Sequence, residues 1–175
     1  INQGTASGNN SFAVGLGSDA SGNYSFAANA GDATGAYSFA VSGGNSNGLY
    51  STSFNEANAN GNNSFAIASG TANGNNSFAI ASGTANGDYS IAMGMNSYSN
   101  SFSEVVIGSY NDTALSSDGD SWVATDRLFT ICNGTGEGSE SNALVMLKNG
   151  NTTVNGNWTF SDTIMADEGF IKNKA

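Results

Sequence analysis

The sequence predicts an all-β fold in which short strands stack as the rungs of a β-solenoid, and three observations predict it. A serine recurs every 13 residues after a first step of 14, so the chain repeats one short unit. Within each unit, large apolar and small residues alternate with the period of two that is typical of strands. Glycine and asparagine recur too often for a stable helix. Two short strands and two turns therefore form one rung of 13–14 residues, and stacking places equivalent residues about 4.8 Å apart.

The repeat is clearest at residues 61–73, which residues 74–86 copy letter for letter. About eight such rungs occupy residues 1–109. A glycine closes each unit, and Asn100 takes that place in the last one. Both residue types tolerate positive φ, so we expect a left-handed turn at this position. The glycines that close the units are Gly8, Gly22, Gly35, Gly48, Gly61, Gly74 and Gly87.

The first strand of each rung alternates large apolar residues with alanine. We expect the large residues to fill the coil and the alanine column to face outward, where small side chains let identical chains approach closely. The reverse arrangement, with alanine inside and the large residues at an interface, fits the alternation as well. Both require an oligomer, because so thin a coil has little interior. The predicted rung core is Phe12, Phe26, Phe39, Phe65, Ile67, Phe78 and Ile80, and the predicted trimer-interface or core column is Ala13, Ala27, Ala40, Ala66, Ala79 and Ala92.

The second strand of each rung contributes a small residue between two polar ones. The small position runs from Ala6 through Ala85 and is assigned to Tyr98 in the last rung. Asparagine is frequent among the flanking residues, and Asn ladders stabilise stacked strands without a ligand. A flat threonine ladder would instead suggest an ice-binding solenoid, but here aspartate interrupts the threonines.

A family resemblance rests on these same units. Residues 61–74, Gly-Asn-Asn-Ser-Phe-Ala-Ile-Ala-Ser-Gly-Thr-Ala-Asn-Gly, and residues 89–94, Tyr-Ser-Ile-Ala-Met-Gly, resemble the head repeats of YadA-like trimeric adhesins. The array that resembles this family covers residues 4 to about 109. The resemblance implies a left-handed parallel β-roll, three copies of which intertwine as a homotrimer at the bacterial cell surface. The sequence departs from the family pattern in its 13-residue rungs and in using Phe where Val is commoner.

The C-terminal third resembles the segment that follows such repeats in secreted bacterial proteins and phage tail-fibre proteins. The resemblance lies in residues 106–111, 120–134 and 141–156. It implies a β cap or neck over residues 110–156, with residues 157–175 beginning a stalk or fibre module. We expect Leu128–Cys132 and Ala143–Lys148 to pair as strands, with a turn at Asn149-Gly150 before Thr152–Val154.

Composition excludes several classes of function. The net charge is −10, only four residues are basic, and none of these precedes Arg127. Nucleic acids and anionic membranes bind Lys- and Arg-rich surfaces, so neither is an expected partner. The absence of histidine excludes a Ser-His-Asp triad within this chain, and the scattered acids do not suggest a glycosidase pair. No apolar run approaches the length of a membrane span. We therefore expect no catalytic residues, no metal and no cofactor.

Two polar features have alternative interpretations. Asp112, Asp118 and Asp120 could hold Ca²⁺ through their carboxylates, but their spacing does not match an EF-hand loop, and a solvated turn is favoured. The single cysteine, Cys132, is interpreted as a small buried residue rather than part of a disulfide framework.

Three aromatic residues outside the repeat are candidates for ligand binding. Tyr110, Trp122 and Trp158 could stack on a sugar ring, although structural packing is the commoner role for such residues. We predict a non-enzymatic module that attaches to a host or prey surface glycan or protein by multivalent contact. A receptor-binding tail fibre of a phage or contractile injection machine is the alternative.

Overall fold

The computed structural model describes residues 3–114, 117–157 and 159, and within them every regular element is a strand. In chain order the strands are β1 Thr5–Ala6, β2 Phe12–Val14, β3 Asp19–Ala20, β4 Phe26–Ala28, β5 Asp32–Ala33, β6 Phe39–Val41, β7 Asn45–Ser46, β8 Thr52–Phe54, β9 Asn58–Ala59 and β10 Phe65–Ile67. They continue with β11 Thr71–Ala72, β12 Phe78–Ile80, β13 Thr84–Ala85, β14 Ile91–Met93, β15 Tyr98–Ser99, β16 Val105–Ser109, β17 Arg127–Asn133, β18 Asn142–Leu147 and β19 Thr152–Val154.

These strands form two sheets that wind as a β-solenoid of about eight turns. The odd-numbered strands β1 to β15 make an eight-stranded sheet, and the even-numbered strands β2 to β16 with β17, β18 and β19 make an eleven-stranded sheet. All pairs between successive rungs are parallel, and Phe65 pairs with Phe78 and Thr71 with Thr84. The 13-residue repeat is therefore confirmed as the structural period, because each strand pairs with its equivalent in the next rung.

The alanine column lies inside the coil, and the large apolar residues of the same strands point outward. The six predicted alanines are at most 3% exposed, whereas Phe12 is 55% exposed and Phe26 to Ile80 are half-buried. The rung-core role predicted for Phe12, Phe26, Phe39, Phe65, Ile67, Phe78 and Ile80 is therefore wrong for the single chain. The alanine column, which we expected to face outward, forms the core instead. This is the reverse arrangement that the alternation also fitted.

The reason is that the two sheets are too close to hold aromatic rings between them. A Cβ added at Gly31 would lie 2.6 Å from the carbonyl carbon of Ala40, so even a methyl group has no room there. Where the column carries serine instead, Ser46 and Ser53 share a hydrogen bond of 2.7 Å between their hydroxyls. A 13-residue rung therefore encloses only small side chains, those of alanine and serine, and it leaves the larger ones outside.

The recurring serine stabilises the corner between the two sheets. Ser25, Ser51 and Ser77 each donate their hydroxyl to the carbonyl of the glycine three residues earlier, at 2.7, 2.7 and 2.6 Å. These serines are at most 2% exposed, so their hydroxyls would be costly to bury without a partner. The hydroxyls of Ser38 and Ser64 in the same column are buried without a partner. Serine thus recurs because a small inward residue fits the position, and in several rungs its hydroxyl also bonds to the corner carbonyl.

The glycine that closes each unit is required by close packing rather than by positive φ, contrary to our expectation. Gly61 does not have positive φ, but a Cβ on it would overlap the carbonyl oxygen of Gly74 and lie 2.5 Å from the carbonyl carbon. Positive φ occurs two residues later, where Tyr or Asn is found. Asn100 is not the equivalent of these glycines, because a Cβ on Gly87 meets the backbone of Ser101.

The last rung is one residue longer, which also shifts its second strand. Ser99, not Tyr98, pairs with Ala85 and points inward, while Tyr98 pairs with Thr84 and is 39% exposed. The assignment of Tyr98 to the small column is therefore wrong. The predicted Asn ladder has the same shift: Asn60, Asn73, Asn86 and Asn100 are linked by side-chain hydrogen bonds of 2.7–2.8 Å.

Beyond the rungs, the eleven-stranded sheet continues with a change of direction. Strand β17 pairs in parallel with β16, whereas β18 and β19 add antiparallel. The pairing predicted for these segments is confirmed, and the turn before β19 contains Gly150 at φ 89°.

Candidate interaction surface

The outward face of the eleven-stranded sheet, which we call the aromatic face, carries two columns of large residues. Strand pairing places equivalent residues of successive strands in line on this face. The first column is Phe12, Phe26, Phe39, Thr52, Phe65, Phe78, Ile91, Val105, Phe129 and Met146, and the second is Val14, Ala28, Val41, Phe54, Ile67, Ile80, Met93, Ile107, Ile131, Leu144 and Val154.

Aromatic stacking orders most of this face. The Phe26 and Phe39 rings are 4.8 Å apart and nearly parallel, and Phe65 and Phe78 are 5.3 Å apart. Between these pairs the first column has Thr52, and Phe54 of the second column fills the gap with ring distances of 5.6 and 6.0 Å to its neighbours. The two columns are thus in contact at Thr52, where the first column has no phenylalanine.

The aromatic face is unusual because it is both apolar and uncharged. None of its members is charged, and Val14, Ile107 and Ile131 are each 40% exposed. Eleven strands at about 4.8 Å give a length of about 48 Å. Soluble monomers seldom expose a continuous apolar patch of this extent, and such patches mark interfaces.

A second aromatic feature, missed in the sequence analysis, is a stack of three tyrosines at one corner of the coil. Tyr24, Tyr37 and Tyr50 have ring centroids 4.9 Å apart and are 49–53% exposed. Each has φ of 57–58°, a conformation that is rare for a bulky residue. In other rungs Asn63 and Asn76 occupy this position, which asparagine accepts more readily. The signal was present in the sequence as tyrosine directly before the recurring serine.

The predicted ligand-binding aromatics have different surroundings. Trp122 is 56% exposed, and the Lys148 ammonium lies 5.3 Å from its ring centroid, within range of a cation–π contact. Tyr110 is half-buried, and its carbonyl accepts the Ser141 N–H at 3.0 Å. Trp158 lies outside the described residues. A sugar-binding role for these residues stays a prediction.

The acidic segment around Asp118 is a hydrogen-bonded turn. The Asp118 carboxylate accepts the Ser121 hydroxyl at 2.7 Å and the N–H groups of Asp120 and Ser121 at 2.9 and 3.0 Å. The hydroxyl bond first, and then the two N–H bonds, lower the pKa of Asp118. Asp112 accepts the Ala114 N–H, and no three metal-ligating side chains cluster among the described residues.

Cys132 is buried, as predicted for a small core residue. Its thiol donates to the Ile107 carbonyl at 3.1 Å, and burial raises the pKa of the thiol. A raised pKa keeps the group in its unreactive protonated form.

Comparison with known proteins identifies part of the rung array. Residues 6–28 and 84–97 match the YadA head domain repeat as two copies, so the chain contains YadA-like head repeats. The intervening rungs keep the same strand register, which extends the structural repeat from one matched segment to the other. No curated protein matches the chain.

The matched family indicates the general class of function. YadA heads are trimeric and surface-exposed parts of adhesins, and the match points to an adhesin-type, non-enzymatic role. In the described part of the chain, no helix is long and apolar enough to span a membrane.

Proposed function

We propose that this chain, which carries YadA-like head repeats, is a homotrimeric segment of an extracellular fibre that attaches to a cell surface, a glycan or a matrix protein. The single observation that carries the proposal is the aromatic face, which is apolar, uncharged and partly exposed in one chain. Packing three such faces together removes them from water. Fully burying a Phe or Ile side chain contributes about 1.5–3 kcal/mol, so a column of them provides a large driving force.

Attachment would then be multivalent. Three identical chains present every surface site three times, and linked sites raise avidity without a deep pocket. The shortage of positive charge fits a protein or neutral glycan target better than an anionic one.

The three predicted segments of the chain fit the same proposal. Residues 1–109 would form the head, residues 110–156 a cap or neck, and residues 157–175 the start of a stalk or fibre module. Continuity of the eleven-stranded sheet from β16 into β17 supports a rigid joint between head and neck. The joint is reinforced by Gly119, whose carbonyl accepts the Asp88 N–H of the last turns at 2.8 Å.

The alternative is a receptor-binding tail fibre of a phage or contractile injection machine, which would use the same architecture on a virion or injection device. Gene neighbourhood separates the two: baseplate and sheath genes favour the fibre, whereas a secretion signal with an outer-membrane or sorting anchor favours the adhesin.

An ice-binding solenoid is less well supported. The outward residues of the eight-stranded sheet include Asp19, Asp32 and Asn45 beside Thr71 and Thr84, so no flat threonine surface forms. Absence of thermal hysteresis would remove this alternative.

The assembly is tested by light scattering on the purified chain. We expect a mass of three times the 17.6 kDa of one chain. Phe65→Asp places a charge on the aromatic face and should dissociate the trimer, whereas Thr71→Asp, in the same rung but on the outer side of the other sheet, should leave it intact. A folded wild-type monomer, or equal behaviour of the two variants, would contradict the proposed interface.

A further inference from the structure

The two lateral borders of the eleven-stranded sheet differ in shape along the same rungs. All rung strands run in the same direction, so the residues before them line one border and the residues after them line the other. The first border carries Tyr24, Tyr37 and Tyr50, which we call the tyrosine stack, each two residues before β4, β6 or β8. The aromatic face extends from this border to the second one.

The second border contains a groove, which we call the turn groove, at the turns that follow the same strands. The turn after β2 carries Leu16 and the turn after β14 carries Met95, which are 75% and 55% exposed, so bulky side chains lie on this border above and below the groove. The groove has a volume of about 600 Å³, and it is lined by residues 29–30, 42–43, 55–56 and 68–69, none of them aromatic or large and apolar.

The backbone conformation of the tyrosine stack indicates a role beyond the single chain. The three tyrosines have φ of 57–58°, which a bulky residue rarely adopts, whereas Asn63 and Asn76 show that the same corner forms with asparagine. An unfavourable conformation that is retained in three successive rungs is a reason to look for function. The stacked faces of the rings contact each other, so their edges and hydroxyl groups are the exposed parts. Tyrosine is enriched at protein interfaces, where its ring is buried and its hydroxyl finds a partner.

Cyclic packing of three chains brings the two unlike borders together. In the proposed trimer the three aromatic faces point towards a common axis parallel to the solenoids, and each sheet forms one side of a triangular prism. At each edge of the prism the first border of one chain meets the second border of the next, which is a heterologous contact that closes a ring. Rotation about the axis involves no shift along it, so equal rungs lie at equal height. The tyrosine stack is therefore level with the turn groove of the neighbouring copy.

We propose that the tyrosine stack of each chain binds in the turn groove of a second copy of the same chain. The small turn residues leave room for the phenol rings, and the side chains of Asn55 and Glu56 can accept hydrogen bonds from the tyrosine hydroxyls. No side chain before Arg127 is basic, so the rungs of a second copy offer Glu56 only neutral donors, and the tyrosine hydroxyl is one of these. The inference rests on the proposed trimer and deepens it, since it names the seam that closes the ring.

Paired cysteines test the seam directly. Tyr37→Cys is combined with Asn29→Cys, Ser42→Cys or Asn55→Cys, so that each double variant has one cysteine on each border. Within one chain, residues 37 and 42 flank β6 and are five residues apart along a strand that rises about 3.3 Å per residue. This separation exceeds the distance of about 7 Å between Cα atoms that a disulfide can bridge, so only a contact between chains gives a cross-link. The purified full chain is treated with oxidised glutathione and run on a denaturing gel without reductant.

We expect a covalent trimer from at least one double variant and no cross-link from any single variant, because like borders do not meet in the ring. Ser42→Cys with Thr135→Cys, an exposed threonine beyond the rungs, is the matched control and should stay monomeric on the gel. A trimer in solution that gives no cross-link with any of the three pairs would overturn the inference, since the groove would then hold another occupant or water. Dimers from a single variant would overturn it as well, because they require like borders in contact.

A second measurement removes the rings and keeps the fold. Tyr24→Asn, Tyr37→Asn and Tyr50→Asn are combined, because asparagine is the residue found at this corner in other rungs. We expect the trimer to dissociate at a protein concentration at least about tenfold higher than that of the wild type. Tyr98→Thr is the control: it removes an exposed tyrosine of the eight-stranded sheet, copies Thr84 of the preceding rung and should leave dissociation unchanged. Equal dissociation of the triple variant and the wild type would reject the seam alone, whereas a folded wild-type monomer would reject the proposed trimer with it.

Discussion

The close contact between successive corners of the coil makes Gly61→Ala the most informative single perturbation of the fold. Gly61 is in the middle of the array, and the corner of the next rung lies directly against it. An added Cβ would overlap the Gly74 carbonyl oxygen and lie 2.5 Å from its carbon and 2.9 Å from the Asn73 oxygen. All of these are backbone atoms, so no side-chain rotation can relieve the clash.

The magnitude follows from the movement that relief requires. Carbon atoms pack at about 3.5 Å or more, so the two corners must separate by about 1 Å. The N–H groups of Asn60 and Gly61 both donate to the Ala72 carbonyl, at 2.9 and 3.1 Å, and such a separation would break these bonds. Two backbone hydrogen bonds at about 1 kcal/mol each, added to about 1–3 kcal/mol for overpacking, give a loss of about 3–5 kcal/mol.

The assay is urea unfolding followed by circular dichroism at a fixed protein concentration, because the stability of an oligomer depends on concentration. Gly136→Ala is the matched control: nothing lies within 4 Å of its added Cβ, and its φ is not positive. The control should be neutral or slightly stabilising, because alanine reduces the entropy of the unfolded chain. If Gly61→Ala unfolded within about 0.5 kcal/mol of the wild type, the close-packing explanation of the glycine column would be refuted.

Three further changes test other parts of the structure. Asn73→Ala removes two links of the exposed Asn ladder and should lower the unfolding free energy by about 0.5–1.5 kcal/mol in urea titrations. Burial and the stacked Asp19 raise the pKa of Asp32, so Asp32→Asn should be more stable than wild type at pH 7; this advantage should shrink as pH falls through the folded pKa and vanish well below the ordinary value of 3.8. Glu104→Gln should cost about 3 kcal/mol in thermal or urea unfolding, because it leaves the Arg127 charge buried without its partner.

The period and register of the fold were predictable because every rung of a solenoid repeats the same local structure. Residues that stack must be alike, so the spacing of serine and phenylalanine specified which strands pair. The orientation of the first strand was not predictable in the same way. Alternation with period two is symmetric, and it gives the same pattern whether Phe65 or Ala66 points inward. The orientation depends on the distance between the sheets, and the short 13-residue perimeter keeps this distance so small that only alanine and serine side chains fit inside.

The recurrence of glycine at the end of each unit was recognised from the sequence, but its physical cause was predicted wrongly. Glycine is suited both to positive φ and to close approach of another backbone, and sequence alone does not separate these uses. Ser101 distinguishes between these two uses of glycine. It follows Gly87 in the column and carries a side chain, and among the described residues no further rung of the eight-stranded sheet stacks on it. The column therefore tolerates a side chain at the position where the eight-stranded sheet has no further rung.

The same reasoning explains why a buried ion pair marks the end of the array. Strand register makes Glu104 the successor of Ser90 in the serine column, the position whose hydroxyl bonds to the corner carbonyl in several other rungs. Glu104 instead accepts the N–H groups of Asn100 and Ser101 at 2.8 and 3.0 Å, which orders the longer last turn. A buried carboxylate requires a counter-charge, and Arg127, the first basic residue of the chain, supplies it from β17. The break in the serine column and the first arginine were both visible in the sequence, but only the three-dimensional register brings the two side chains together.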